Sequence, residues 1–262
     1  MTAREALAEA ERRLAAAGVE TPRVDAELLV AHVLGTTRSG IYAEPEVEVD
    51  GPLESLLARR EAREPLAYVL GEWGFRRLLL KTDSRALVPR PETEILVERA
   101  LALVRDVRQP RILDVGVGSG AIALALADEH PGARVTGVDV SREALALARE
   151  NAERLGLPVE LRAAGVEAAA EGWDLVVSNP PYVEKLDGLE PELRREPPEA
   201  LLGGLDVYRA LSRMARSTWL VVEVGDGRAG AVEAELRAAG WTETRVTRDL
   251  AGRERVVEGR RA

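Results

Sequence analysis

From about residue 91 onward, short apolar runs alternate with amphipathic stretches, a pattern that predicts strands and helices in turn. The strand candidates lie at 111–115, 134–138, 159–162, 175–178 and 219–224. Helices are expected at about 119–129, 141–155 and 227–239. Short apolar strands alternating with helices are the signature of a parallel α/β sheet. After Gly240 the pattern changes. Residues 242–247 and 254–258 read as strands with no helix between them, and therefore as an antiparallel pair. A mainly parallel sheet closed by such a pair is a variant of the doubly wound α/β fold.

The first 70 residues read differently. An Ala-rich helix over 2–17 ends at Gly18, and Thr21-Pro22 offers a cap and first turn for a second helix to about Leu34. A third helix follows Asp50-Gly51-Pro52. Three short helices bury little alone, so a small helical domain is expected. Residues 73–75 and 78–81 then read as two strands that pair in a short hairpin. The expected organisation is a helical domain at 1–72, a β-hairpin connector at 73–87 and a catalytic domain at 88–262. No internal repeat or low-complexity linker interrupts it.

Composition narrows the chemistry. A hydrophobic fraction of 46 % with 31 % charged residues supports a well-filled core. With no cysteine, disulfides, thiolate metal sites and Cys nucleophiles are excluded. The two histidines, His32 in a helical stretch and His130 before Pro131, read as structural. No metal is expected. A net charge of -9 opposes loose attachment to nucleic acid or anionic lipid. No apolar run approaches a membrane span, and the acidic N-terminus does not read as a signal peptide, so a cytoplasmic protein is expected.

Two motifs carry the chemistry. Asp114-Val115-Gly116-Val117-Gly118-Ser119-Gly120 ends a strand, turns and starts a helix. Alternate glycines let the backbone pass close to a ligand. Asp139, closing the next strand, can accept both hydroxyls of a ribose. The spacing differs from the G-x-G-x-x-G of dinucleotide sites, and Asp114 suits the charged amino-acid end of S-adenosylmethionine, so the methyl donor is favoured over NAD. The expected cofactor contacts are Asp114, Gly116, Val117, Gly118, Ser119, Gly120, Asp139 and Asn179.

The second motif, Ser178-Asn179-Pro180-Pro181-Tyr182, follows the fourth strand at the carboxyl edge of the sheet, where open α/β folds bind ligands. Tandem prolines fix an extended turn and donate no hydrogen bonds. The Asn179 side-chain oxygen and the Pro180 carbonyl are left as two acceptors for the two N–H bonds of an NH₂ group. Tyr182 offers a flat face for a planar amide or a base. Asn179, Pro180 and Tyr182 are the candidate catalytic residues, with Pro181 completing the substrate contacts. An amide or exocyclic amine nitrogen is the implied acceptor.

The chain resembles, over nearly its full length, the glutamine N5-methyltransferases of peptide chain release factors, the HemK/PrmC family. Beside the two motifs the likeness rests on Pro65-Leu66-Ala67-Tyr68 with Gly71, the run from Leu87 to Glu94, Glu196-Pro197 with Ala200-Leu201 and Gly203-Gly204, and the run from Arg248 to Arg253. The resemblance implies a Rossmann-like class I methyltransferase fold with a small N-terminal helical domain. It further implies S-adenosylmethionine as donor, S-adenosylhomocysteine as product, and class 1 release factors as partners. Asn179, Pro180 and Tyr182 would then hold the glutamine of a Gly-Gly-Gln loop, and the helical domain would grip the release factor. The Arg90-Pro91-Glu92-Thr93-Glu94 run lines the site or caps a helix. Val117 stands where the family commonly has threonine. Ala163-Ala164-Gly165 and Asp206-Val207-Tyr208 also depart from its pattern, so no adenine contact is assigned after the third strand. The rival readings are an adenine N6-methyltransferase of nucleic acid acting on a flipped base, a glutamine methyltransferase of a ribosomal protein, and a cofactor-binding scaffold without turnover.

Overall fold

Thr2 starts the first helix, α1 (Ala3–Ala16), through a capping box. Its hydroxyl accepts from the Glu5 amide at 3.3 Å, and its own amide donates to the Glu5 carboxylate at 2.9 Å. The computed structural model describes residues 1–261. A second helix, α2 (Pro22–Leu34), has proline in its first turn and ends on left-handed Gly35. Thr21 precedes it, but its hydroxyl donates to the Asp25 carboxylate at 2.8 Å instead of capping the helix. Three further short helices complete this region: α3 (Arg38–Ala43), α4 (Leu53–Glu61) and α5 (Leu66–Leu70). Their buried residues, among them Leu14, Leu29, Val30, Ile41 and Leu57, form one core.

This helical unit comprises Met1–Glu72 together with Leu189–Arg195, a segment from far along the chain. Glu192 fastens that segment: its carboxylate accepts from Arg60 at 2.7 Å and from Arg63 at 2.6 and 2.7 Å. Arg60 is itself buried and paired with Asp25 at 2.7 Å. Arg195 adds a bond to the Ala62 carbonyl at 2.7 Å.

The second unit, Trp73–Gly188 with Glu196 onward, is built on a sheet. It begins with the hairpin of β1 (Glu72–Phe75) and β2 (Leu78–Lys81), followed by α6 (Thr93–Val104). The α/β alternation then runs β3 (Arg111–Val115), α7 (Ala121–Glu129), β4 (Arg134–Asp139), α8 (Arg142–Leu155), β5 (Val159–Ala163) and β6 (Trp173–Ser178). Short α9 (Pro198–Leu201) and amphipathic α10 (Leu205–Met214) lead to β7 (Ser217–Glu223), α11 (Ala229–Ala238), β8 (Thr242–Arg248) and β9 (Glu254–Arg260).

The strand order is β5-β4-β3-β6-β7-β9-β8, parallel from β5 through β7. Strand β9 inserts antiparallel between β7 and β8, so the closing hairpin extends the sheet through its second strand. One face is covered by α6, α7, α8 and the β1-β2 hairpin, with Phe75, Leu80, Leu96 and Leu126 in its core. The other packs Leu113, Val176 and Leu220 against α10 and α11, with Tyr208 and Trp241 fully buried. Burying a large apolar side chain contributes about 1.5–3 kcal/mol, so these two layers hold β3 and β6 firmly. The chain reverses direction across the sheet between those two strands, and the crevice outside their carboxyl ends is where such folds bind ligands.

Candidate active site

A cleft of about 360 Å³ opens at that point. Its walls come from the glycine loop after β3, the end of β4, the turn after β5, the Asn179 loop after β6, residues 85–90 and the start of α9.

The glycine loop is shaped by its own backbone. Gly116, Gly118 and Gly120 have φ of +78°, +53° and +90°, where side-chain-bearing residues are strained. The Gly116 and Val117 amides both donate to the Val138 carbonyl at 2.9 Å, fastening the loop to β4. A Cβ at Gly116 would meet no protein atom within 4 Å and would stand in open space. At Gly120 it would come within 2.9 Å of Leu124, a packing constraint inside α7's first turn. Gly120 is accordingly absent from the cleft wall, whereas Gly116, Val117, Gly118 and Ser119 belong to it.

Asp139 closes β4 with its carboxylate on the cleft. One oxygen accepts from the Gly118 amide at 3.0 Å and the other from Ser141 at 2.9 Å. A carboxylate offers about four lone-pair directions, so two remain for a pair of hydroxyls. Asp114 sits deeper. It is fully buried, accepts from the Ala123 amide at 3.1 Å through one oxygen, and has no partner for the other. Burial pushes its carboxyl up to about 8, only partly countered by the Ala123 bond. It lies outside the cleft wall and braces the first turn of α7.

The opposite wall is braced by distant residues. Ser178 anchors the end of β6 through a 2.6 Å bond from its hydroxyl to the Val115 carbonyl. The Asn179 amide then donates to the Thr93 hydroxyl at 3.1 Å. Because its nitrogen is engaged there, the opposite end of the carboxamide, Oδ1, is the end left for a ligand. Neither Oδ1 nor the Pro180 carbonyl accepts a hydrogen bond from another described residue. Asn179, Pro180 and Pro181 all line the cleft. Tyr182 does not. Its ring is partly buried against Gly225, where a Cβ would come within 2.9 Å of it. Gly203 gives the loop equal room: a Cβ there would lie 2.1 Å from the Pro181 carbonyl oxygen. The Val183 and Gly203 amides close the loop by bonding to Leu201 and Val183 carbonyls at 2.9 Å.

Three contributors were not singled out for these roles from the sequence. Thr93 fell in a run read either as site lining or as a cap; it is buried, faces the cleft and bonds Asn179. Glu196 accepts from the Val88 amide at 2.8 Å and pairs with Arg90, tying residues 87–90 to the chain entering α9. Glu223 ends β7 beside the strand that leads to Asn179, buried and with its Oε2 unpartnered. An acid at the end of an otherwise apolar strand, as in Leu220-Val221-Val222-Glu223, was the available signal for the last.

The site's chemistry fits S-adenosylmethionine: a carboxylate with spare acceptors for a ribose, glycine backbone bordering open space, an orphaned buried acid under the loop, and apolar Val140 and Val166 on the cleft. Val140 is 76 % exposed, so a flat apolar ring laid there would cover it. Fold and cleft together define a class I methyltransferase.

Comparison with known proteins agrees. Residues 5–71 match the family model of the PrmC N-terminal domain, and residues 91–195 match the methyltransferase small domain. The chain is 44 % identical to the release factor glutamine methyltransferase of Deinococcus radiodurans, covering 100 % of this chain and 99 % of that one. With the enzyme of the same name from Caulobacter vibrioides the identity is 41 %, over 95 % and 93 %. Among solved structures, the hMettl16 catalytic domain in complex with an RNA hairpin of the MAT2A 3'UTR superposes with a TM-score of 0.59 at 16 % identity, over 82 % and 83 % of the two chains. A 16S rRNA methyltransferase of T. thermophilus in complex with AdoMet and guanosine gives 0.52 at 17 % identity, over 73 % and 50 %. Both establish the shared fold. The chain belongs to the release factor glutamine methyltransferase family and is an S-adenosylmethionine-dependent methyltransferase.

Proposed function

We propose that the cleft transfers a methyl group from S-adenosylmethionine to the side-chain N5 nitrogen of a glutamine in a peptide chain release factor, with Asn179 and Pro180 holding the acceptor amide. The observation that carries the residue assignment is the commitment of the Asn179 amide nitrogen to Thr93, which leaves Oδ1 as an acceptor on the cleft. Oδ1 and the Pro180 carbonyl together match the two N–H bonds of a carboxamide and reject a group lacking them.

Bound in this cleft, the sulfonium supplies an activated methyl and a neutral thioether leaving group. The glutamine nitrogen forms the new C–N bond as the S–C bond breaks, and one N–H proton is released to water. The chain's own task is aim and electrostatics. In-line placement at roughly 3–3.5 Å accounts for a large part of the barrier reduction. Positive charge develops on the amide hydrogens during attack, so bonds to Oδ1 and the Pro180 carbonyl strengthen in the transition state. The rigid proline turn keeps those acceptors in place without reorganisation.

Asp139 is assigned to the ribose hydroxyls, the loop from Gly116 to Ser119 to the amino-acid end of the donor, and Val140 to the adenine face. Asp114 and Gly120 support the loop from behind, and Tyr182 supports the Asn179 turn. The helical unit is assigned to gripping the release factor, which places the working protein in the cytoplasm with the translation machinery. Among the described residues no helix is long and apolar enough to cross a membrane.

Incubation of the chain with labelled donor and either a class 1 release factor or duplex DNA, followed by mass mapping, tests the reading. Label on the glutamine of the Gly-Gly-Gln loop is the expected result. Label on adenine, or on no glutamine, overturns it.

A further inference from the structure

The titratable side chains bordering the cleft are Arg85, Arg90, Asp139 and Glu199. The two arginines are not equivalent. Every guanidinium nitrogen of Arg85 is spent within the protein: Nε and Nη2 on Asp83 at 2.8 Å, Nη1 and Nη2 on Glu150 at 2.7 and 2.9 Å. Arg90 spends only Nη2, on Glu196, and its Nε and Nη1 have no hydrogen-bond acceptor among the described residues. Its setting is nevertheless built. The Glu196 side chain is 1 % exposed, against 30 % for Arg90. One Glu196 oxygen is held by the Val88 amide at 2.8 Å, which aims the other at Arg90. The guanidinium is thereby fixed on the cleft instead of swinging into water, and that lowers the ordering cost of binding.

The place of Arg90 matches one end of the donor. Its carbonyl accepts from the Thr93 amide at 3.1 Å, and the Thr93 hydroxyl holds Asn179, so Arg90 stands on the β6 side of the cleft. Strands β4 and β5 lie on the other side of β3, and Asp139 ends β4. With the ribose at Asp139 and the adenine at Val140, the donor runs from β4 across β3, and its amino-acid end comes to the β6 side. That end carries a carboxylate.

We infer that Arg90 binds the carboxylate of S-adenosylmethionine through its unspent N–H groups, with Glu196 behind it as a positioning residue. This rests on the donor placement proposed above. Charge decides among the acceptors a guanidinium can take. The planar N–H groups of arginine match a carboxylate, and hydrogen bonds between two charged partners are about twice as strong as neutral ones. The remaining titratable groups on the cleft, Asp139 and Glu199, are acids and repel the donor's carboxylate. A peptide carbonyl would fit the same N–H groups, but it would leave that carboxylate with backbone amides alone against two acids.

Calorimetry without any acceptor tests this with two probes, S-adenosylmethionine and its decarboxylated form, which keeps the sulfonium and the amine and lacks only the carboxylate. The wild type should bind the intact donor roughly 10- to 100-fold more tightly, the range for hydrogen bonds to charged groups. In Arg90→Ala the two affinities should come within about threefold of each other, and Arg90→Lys, which keeps the charge without the planar fork, should fall between. Glu196→Gln should weaken the intact donor less than Arg90→Ala does and leave the decarboxylated form unchanged. Arg90→Ala strands a buried carboxylate, so the same pair of titrations is run on the double variant Arg90→Ala with Glu196→Gln, beside melting curves. A wild type that binds both forms equally, or an Arg90→Ala chain that keeps a tenfold preference, overturns the assignment. So does an Arg90→Ala chain with unaltered donor affinities and a raised KM for a Gly-Gly-Gln peptide, which would move Arg90 to the acceptor. These outcomes leave the glutamine reading standing; that reading fails separately if the wild type keeps its preference for the intact donor but labels no glutamine.

Discussion

The two walls of the cleft are made in opposite ways. On the donor side, the run from Asp114 to Gly120 folds on itself, its shape set by three positive-φ glycines and by backbone bonds to the neighbouring strand. On the acceptor side, the turn from Asn179 to Tyr182 is held by residues remote in sequence: Thr93 orients its amide, while Gly203 and Gly225 leave it room. The first wall tolerates changes of side chain and depends on glycine. The second should fail at single atoms placed tens of residues away.

The largest effect is expected at Asn179. Replacement by alanine removes one of two preorganised acceptors for the reacting amide, and comparable losses cost about 10²–10³ in kcat. Donor affinity should hold within about threefold, because the glycine loop and Asp139 are untouched. Single-turnover rates beside calorimetry separate the two; a parallel collapse of donor binding would mean that Asn179 belongs to the donor wall.

Gly203→Ala should come next, although residue 203 touches no substrate in this reading. The added carbon would lie 2.1 Å from the Pro181 carbonyl oxygen, so the backbone of the turn must move. Overpacking of this kind costs about 1–3 kcal/mol of stability, and a displacement near 1 Å at a reacting centre costs on the order of 10² in rate. A melting curve and a kcat measurement on the same sample check it. Wild-type turnover would show the turn to be compliant, contrary to the contrast drawn between the walls.

This difference in construction also explains what could be read before the structure. The parallel strands announced themselves as short, mostly apolar runs between helical stretches, and the glycine loop with Asp139 lies within one βαβ unit, so local pattern sufficed. The Asn179 motif was visible for the same reason. Its support was not: Thr93 lies 86 residues away, and no local pattern joins the two. Tyr182 and Gly120, read as touching ligands, lie outside the cleft lining, packed close to Gly225 and Leu124, because motif spacing does not tell which face of a turn a side chain takes. Helix α10 was legible in principle, since Leu205, Tyr208 and Leu211 recur on one face, although no helix is expected there in the sequence reading. The segment Leu189–Arg195 was beyond reach, because its attachment to Arg60 and Arg63 joins residues more than 120 positions apart.

Asp139→Ala should show a smaller effect than either substitution on the acceptor wall, and a different one. Two bonds to a ribose vanish, each worth about 1.5–3 kcal/mol when charged but partly recovered by water. The Gly118 amide also loses its 3.0 Å partner. Donor affinity should weaken about tenfold to a hundredfold, with kcat at saturating donor little changed. An unchanged dissociation constant would remove Asp139 from the donor wall.

The smallest effect, and the sharpest check on a backbone-built wall, is Val117→Thr. The valine side chain is buried, with its methyls turned toward Gly137 of β4, where an added Cβ would come within 2.6 Å of them. Its contribution to the loop is the amide bonded to the Val138 carbonyl, which threonine retains. If the new hydroxyl takes the place of the methyl packed against Gly137 it meets no partner there, and an unsatisfied buried hydroxyl costs about 1–3 kcal/mol. Melting temperature should therefore drop while donor affinity stays within about twofold, since no side-chain atom at 117 is asked to hold the donor. A tenfold change in affinity with unaltered stability would reverse the argument: the donor wall would then read side chains too, and the contrast between the walls would reduce to a difference in sequence distance.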